Sequence, residues 1–240
     1  MPTNKMKEQE TLHIQQQRLG AIRDAISDLP GAKLTGPAWT LSSEKRALDL
    51  LIATALSPVY VPTAAVGASL MFLADGRAPV FRQWRIGRDG VPFRLLHVRT
   101  MRDGRGMDAS RGSDDPRATR PGKVLRKGTF DQFLEVYHVL RGHMAMANPR
   151  PLLQFDRRLM REVLPSSVYR EWDWASTIGR PGMYSTFGNE SIGLEPQSEA
   201  FLLRRSECDI EDAHCACLER DLRILGDTAK IGWSFVSRAS

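Results

Sequence analysis

The stretch LLIATALSPVYVPTAAVGASLMFLA, Leu50 to Ala74, decides the architecture. Its 25 residues contain no Asp, Glu, Lys or Arg, a run long enough for membrane contact. It is not a plain spanning helix, because Pro58 follows Ser57 in its middle and Pro62 lies four residues on. Each proline removes a backbone donor and clashes with the preceding turn. A soluble core helix holds one such kink more readily than two. Lys45 and Arg46 precede the run, and Arg77, Arg82, Arg85 and Arg88 follow it. Basic flanks favour the cytoplasmic side, and a straight span would leave one cluster outside. A re-entrant helix over residues 45–76, entering, breaking at Ser57-Pro58 and returning, is expected ahead of a simple span or a buried core helix.

C-terminal to this run the charge changes abruptly. Residues 77–127 hold 14 Lys or Arg against 5 Asp. Gly87, Asp89-Gly90 and Pro92 mark a turn, and Val91, Phe93, Leu95 and Val98 read as a strand, so Arg82–Arg99 is expected to form a β-hairpin. Residues 103–116 are rich in Gly, Ser and Asp and read as a loop. A helix is expected from Phe130 to Arg141, with Thr129 as N-cap and Asp131 in its first turn. Residues 145–190 are punctuated by Pro and Trp and give no assignment. From Glu195 to Ile231 the pattern is helical. Nine acidic residues between Glu190 and Asp221 face three basic ones, which suits packing against the basic half rather than phosphate binding.

On the N-terminal side, Leu12, Leu19, Ile22, Ile26 and Leu29 repeat at helical spacing. They fit a surface helix packed on the main domain or a short helix for self-association or a partner enzyme. The polar, Gln-rich start has no early apolar core of the signal-peptide kind. The expected organisation is an N-terminal helical extension (1–40), the re-entrant helix (45–76), a cytoplasmic domain (77–190) and a C-terminal helical segment (191–240). The fold class is α+β, mostly helical, with a small domain carrying the β-hairpin.

With 240 residues the chain can bury a core of one domain. The net charge of +6 points to nucleic acid, phosphorylated ligands or lipid headgroups. Nucleic acid is disfavoured, since no reader module is present and such binding leaves the apolar run unexplained. Cys208, Cys215 and Cys217 are odd in number and clustered, which suits a reducing compartment. With His214 they match no standard zinc spacing. No P-loop or dinucleotide fingerprint occurs.

Several segments, in order over residues 45–231, resemble the bacterial sugar transferase family, the small monotopic phosphoglycosyl transferases. Lys45-Arg46, Asp49 and Ser57-Pro58 resemble its membrane hairpin. Val80-Phe81-Arg82-Gln83-Trp84-Arg85-Ile86-Gly87 and Arg99-Thr100-Met101 are similar to its passage into the soluble domain. Asp115-Pro116-Arg117-Ala118-Thr119-Arg120, Leu125-Arg126-Lys127 with Asp131, Asn148-Pro149-Arg150-Pro151, Arg180-Pro181-Gly182 and Asp221-Leu222-Arg223 are similar to later markers. The resemblance implies a two-step displacement at the cytoplasmic face of the bacterial inner membrane. A carboxylate attacks a UDP-sugar, UMP leaves, and the enzyme-held phosphosugar passes to a polyprenyl phosphate, with Mg²⁺ required. This step initiates polysaccharide or glycoconjugate assembly from within one leaflet. Asp131 is the implied nucleophile and, with substrate phosphates, the implied Mg²⁺ ligand. Arg99, Arg117, Arg120, Arg126 and Arg150 are the implied phosphate clamps.

Departures from the family pattern fall at the chemistry. The usual Asp-Glu pair reads Asp131-Gln132, which leaves Gln132 a neutral, weak metal ligand. His97 stands where the family has Lys, and supplies a positive charge only when protonated. Leu134-Glu135 replaces a Pro-Gln, and Glu135 is placed to restore a carboxylate near Gln132. Two readings follow: an active, diverged transferase, or a catalytically weak relative that acts as a membrane-bound accessory protein.

Overall fold

The structure is a computed structural model, and it describes residues 35–101, 118–128, 130–191 and 194–239. The helix expected within 1–40, the loop at 103–116, Thr129 and Arg117 lie wholly or mainly outside the described residues.

After a short helix α1 (Gly36–Thr40), one long helix, α2, runs from Ser43 to Asp75. The Ser42 hydroxyl caps its start by accepting from the Lys45 N–H at 3.0 Å. Gly76, with φ 68°, ends it in the left-handed conformation, its N–H donating to the Phe72 carbonyl. Pro58 and Pro62 lie inside this single element. The division at Ser57-Pro58 into an entering and a returning helix is therefore not observed as two elements. Proline removes one ladder donor, leaving the turns on either side to hold the element together. There the Ser57 hydroxyl donates to the Ala53 carbonyl at 2.6 Å and Thr63 to that of Val59 at 2.7 Å, bonds that bend helices without ending them.

Both ends and the middle of α2 rest on the same domain. At its start Lys45 Nζ meets Asp221 at 3.1 Å. In the middle Tyr60 stacks on Phe133, centroids 3.9 Å apart, and shares a hydrogen bond with the Tyr184 hydroxyl at 2.8 Å. At its end Asp75 pairs with Arg99 at 2.6 Å. The outer face is apolar and open: Leu51 is 68% exposed, Val59 60% and Leu73 81%. By length and composition α2 qualifies as a membrane-crossing helix.

The expected hairpin is present as β1 (Val80–Ile86) and β2 (Pro92–Val98), antiparallel, with Trp84 opposite Arg94. Its turn is a 3₁₀ turn, Arg88–Gly90, in which Asp89 and Gly90 take φ of 56° and 77°. Helix α3 (Arg120–Lys127) follows, and Gly67 of α2 admits the Leu125 side chain against its backbone. The helix expected from Phe130 to Arg141 divides. Phe130–Gln132 is a 3₁₀ turn, and the α-helix, α4, spans only Glu135–Arg141. Three-residue bonds, Phe133 N–H to Phe130 O and Val136 N–H to Phe133 O, tighten the link, while Phe133 is held by Tyr60.

The unassigned region 145–190 holds β3 (Ala145–Ala147), α5 (Gln154–Val163), α6 (Ser166–Thr177), β4 (Gly182–Tyr184) and α7 (Thr186–Glu190). β3 and β4 pair in parallel. Gly182 is required there, because a Cβ would lie 2.2 Å from the Asn148 carbonyl oxygen. The tail folds as α8 (Glu199–His214) and α9 (Leu218–Ala239). Its acids pair within the tail, Arg220 with Asp212 at 2.8 Å and with Glu211 at 3.0 Å, as well as with Lys45. The core has three parts. Trp172 centres α5, α6 and α8; Val136, Val139 and Met146 meet Ala53 of α2; Leu125 and Val98 meet Ala64 and Met71 of α2. The architecture is thus mostly helical α+β, with α2 forming one wall of two core clusters.

Candidate active site

Alternation along β1 and β2 turns Arg85, Leu95 and His97 to the inner face and Trp84 and Arg94 outward. The inner face covers the start of α4, so that His97 meets Glu135. Across from it, β3 and its tight approach to Gly182 deliver Arg150 to the same place. The 3₁₀ turn sets Asp131 beside these groups.

Asp131 is half-buried, and its Oδ1 is shielded from solvent without a hydrogen-bond partner. Burial pushes its carboxyl up to about 6, with the Glu135 carboxylate adding to the rise and the Arg126 guanidinium opposing it most strongly. Such a group is ionised above neutral pH yet poorly stabilised, as a nucleophile must be. Gln132 is half-buried next to it.

His97 resolves to the neutral form. Burial, then the Arg85 and Arg150 charges, hold it well below the ordinary imidazole value. Its Nε2 lies 3.5 Å from Glu135 Oε1. Glu135 is wholly buried, and burial raises its pKa against the pull of Arg150. Arg150 grips it with both terminal nitrogens, at 2.9 and 2.8 Å, and also donates to the Met183 carbonyl. Glu135 therefore does not stand in for the carboxylate missing at Gln132; it is committed to Arg150.

The other expected residues divide between the site and the ends of α2. Arg126 acts on Asp131. Arg120 is exposed at the start of α3. Arg99 is engaged elsewhere, with Asp75 and with the Ala78 carbonyl at 2.8 Å, and so clips the end of α2. Lys45 is internal, 2.6 Å from Asp49, and Asp49 in turn accepts from the Met146 N–H at 2.9 Å. This ties α2 to β3. Arg46 donates to the Val139 carbonyl at 2.8 Å and caps the end of α4. The sequence suggests Glu135 as a carboxylate near Gln132 but not as the partner of Arg150, and it does not suggest Arg85 as a site residue. Arg85, a member of the basic flank, is a half-buried donor to the Pro151 carbonyl at 3.1 Å and to Gln83 at 2.6 Å; its parity with Phe81 and Gln83 on β1 was the available signal.

Among the described residues no group of three or more His, Cys, Asp or Glu could hold a metal. The donor set fits Mg²⁺ of the kind that takes one carboxylate and fills its shell with substrate phosphates and water, because Asp131 Oδ1 is unpartnered.

The model of the family described as bacterial sugar transferase matches residues 40–234. A UDP-glucose:undecaprenyl-phosphate glucose-1-phosphate transferase of Caulobacter vibrioides is 28% identical over 86% of this chain and 75% of its own length. A UDP-N-acetylgalactosamine-undecaprenyl-phosphate N-acetylgalactosaminephosphotransferase of Aeromonas hydrophila is 31% identical over 64% of this chain and 35% of its own. An Escherichia coli enzyme named as the Caulobacter one is 31% identical over 52% and 28%. The chain thus spans three quarters of the first relative and about a third of the other two. With the match running from α1 into α9, the chain belongs to the bacterial sugar transferase family.

Proposed function

We propose that this chain transfers a sugar-1-phosphate from a UDP-sugar to a polyprenyl phosphate at the cytoplasmic face of the inner membrane, through a covalent aspartyl intermediate. The observation that carries the reading is the shielded, unpartnered Asp131 Oδ1 near the Arg126 charge, within a family whose cited relatives are named for sugar-phosphate transfer to undecaprenyl phosphate. In the first step an Asp131 oxygen forms a bond to the phosphorus bearing the sugar, and the bond from that phosphorus to UMP breaks, UMP leaving with the electron pair. In the second step a polyprenyl phosphate oxygen attacks the same phosphorus and the Asp131 carboxylate is released. No proton need move, provided Asp131 starts ionised. Arg126 favours that form and would donate to phosphate oxygens. Mg²⁺, held by Asp131 with the Gln132 amide as a weaker donor, would supply neutralisation of the diphosphate charge.

The outer face of α2 supports seating in one leaflet, with both helix ends returned to the domain by Lys45–Asp221 and Asp75–Arg99. Cysteines placed before Ser43 and after Asp75 should both label from the cytoplasmic side only; labelling of either from outside would rule out this seating.

A second reading, an accessory protein of weak activity, is favoured by neutral Gln132 and neutral His97. UMP release decides between them. Purified protein with polyprenyl phosphate and Mg²⁺ is offered a panel of UDP-sugars. Lipid-dependent release that drops at least ~1,000-fold in Asp131→Asn is expected, the order of effect for removing a nucleophile. No release with any UDP-sugar, even after Gln132→Glu with His97→Lys, would favour the accessory reading.

A further inference from the structure

Arg150 has the sequence context of a phosphate clamp, yet its fork is already filled. One terminal nitrogen serves Glu135 Oε2 at 2.9 Å and the Met183 carbonyl, and the other serves Glu135 Oε1 at 2.8 Å. This two-bond grip on a carboxylate is the geometry a guanidinium offers to phosphate. Glu135 is 0% exposed, so no water stands ready to replace Arg150 there, and breaking the pair would strand a buried charge. His97, the next nearest base, is 3.5 Å from the same carboxylate. The three groups come from β2, from the first residue of α4 and from the segment after β3. The three groups therefore join three parts of the fold at the point where α4 begins. The 3₁₀ turn carrying Asp131 continues directly into that point, through Phe133 O to Val136 N–H and Leu134 O to Tyr137 N–H.

We propose that Arg150 is a positioning residue and not a phosphate ligand: Glu135 withdraws its fork from the substrate, and the pair fixes the start of α4, and with it the turn that presents Asp131, against β4. The identity of the phosphate ligand rests on the transferase reading above; the withdrawal of Arg150 does not.

The test compares Arg150→Gln, the double variant Arg150→Gln with Glu135→Gln, and Arg126→Gln. Each is measured by UMP affinity, by kcat and KM for UMP release from UDP-glucose, and by thermal unfolding. A positioning role predicts that Arg150→Gln lowers kcat at least ~30-fold with KM and UMP affinity within ~3-fold of the parent. It also predicts that the double variant recovers ~10-fold or more of the loss, because no buried carboxylate is then left unpaired. Arg126→Gln should instead weaken UMP affinity. A phosphate clamp gives the reverse: UMP affinity and KM worsen ~10-fold or more on losing Arg150, and the double variant is no better. If Arg150→Gln does not fold, the double variant decides alone, since ~10-fold weaker UMP binding in it overturns the proposal and parental binding upholds it. Should the parent release UMP from no UDP-sugar, the transferase reading fails separately. The pair is then judged by unfolding, where a double variant no more stable than Arg150→Gln overturns it.

Discussion

The outer face of α2 and the ionic groups beneath it depart from ordinary polarity in opposite directions. Leu51, Val59 and Leu73 stand 60% or more exposed, while Lys45, Asp49, Glu135 and Asp221 are 4% exposed or less. Exposed aliphatic side chains at this density suit a surrounding of lipid rather than water. Buried ions are tolerated only where each is paired and its remaining valences are hydrogen-bonded. Lys45 meets both Asp49 and Asp221, Asp49 also holds the Met146 N–H, and Asp221 accepts from the Trp39 indole at 2.9 Å. One region depends on the absence of charge and the other on its completeness, so opposite substitutions break them.

The largest effect on folding is expected inside. Lys45→Met removes the shared cation and leaves two buried carboxylates facing each other, at a cost of about 3–5 kcal/mol. Denaturant unfolding in detergent micelles reads this, and a loss below about 1 kcal/mol would mean that the network is hydrated. A smaller cost, from adding a charge instead of removing one, is expected outside. Val59→Arg puts a charge in the middle of the apolar face, which costs about 2.5–3.5 kcal/mol at the centre of a membrane helix. Membrane fractionation should show the variant shifting toward the soluble or degraded pool, whereas Val59→Leu stays in place. Unchanged partition of Val59→Arg would mean that this face meets water.

The smallest effect joins the two regions through the site. The folded Asp131 carboxyl lies at about 6 against an ordinary 3.8, so the folded state holds its proton more tightly than the unfolded chain. The resulting penalty is complete above about pH 6 and fades as the pH falls toward 4. Asp131→Asn should therefore stabilise the protein by roughly 2–3 kcal/mol at pH 7.5 while abolishing transfer. Melting curves of parent and variant should converge as the pH falls toward 4. A constant gap across that range would assign the difference to packing instead of ionisation.

Much of the frame was legible from the chain. The charge-free run picked out α2, whereas the break that its prolines and basic flanks suggested is not seen, since Pro58 and Pro62 lie inside one helix. The Gly87 to Pro92 turn signals gave the hairpin to within two residues at its start and one at its end. Of the departures from the family pattern, His97 and Glu135 lie 3.5 Å apart in the fold. Three things were not legible. The helix expected to contain Asp131 begins at Glu135, because Phe133 is captured by Tyr60, 73 positions earlier in the chain. The segment 145–190 gave no pattern because β3 and β4 are three-residue strands, too short for alternation to register. Lys45 and Arg99 read as flank and clamp, although both are committed to carboxylates.

The sequence by itself determined which segment is long and apolar enough to meet a membrane, which half of the chain carries the cations and where the proposed nucleophile lies. Those properties are local and additive, fixed by composition and by spacing along a few turns. Only the tertiary structure decided which charges remain available. Lys45 finds Asp221, and Arg150 finds Glu135 and Met183, across separations of 176, 15 and 33 residues. An arginine reads the same in sequence whether its fork is open or filled, because the partner that fills it is chosen by the fold, through burial that makes pairing obligatory.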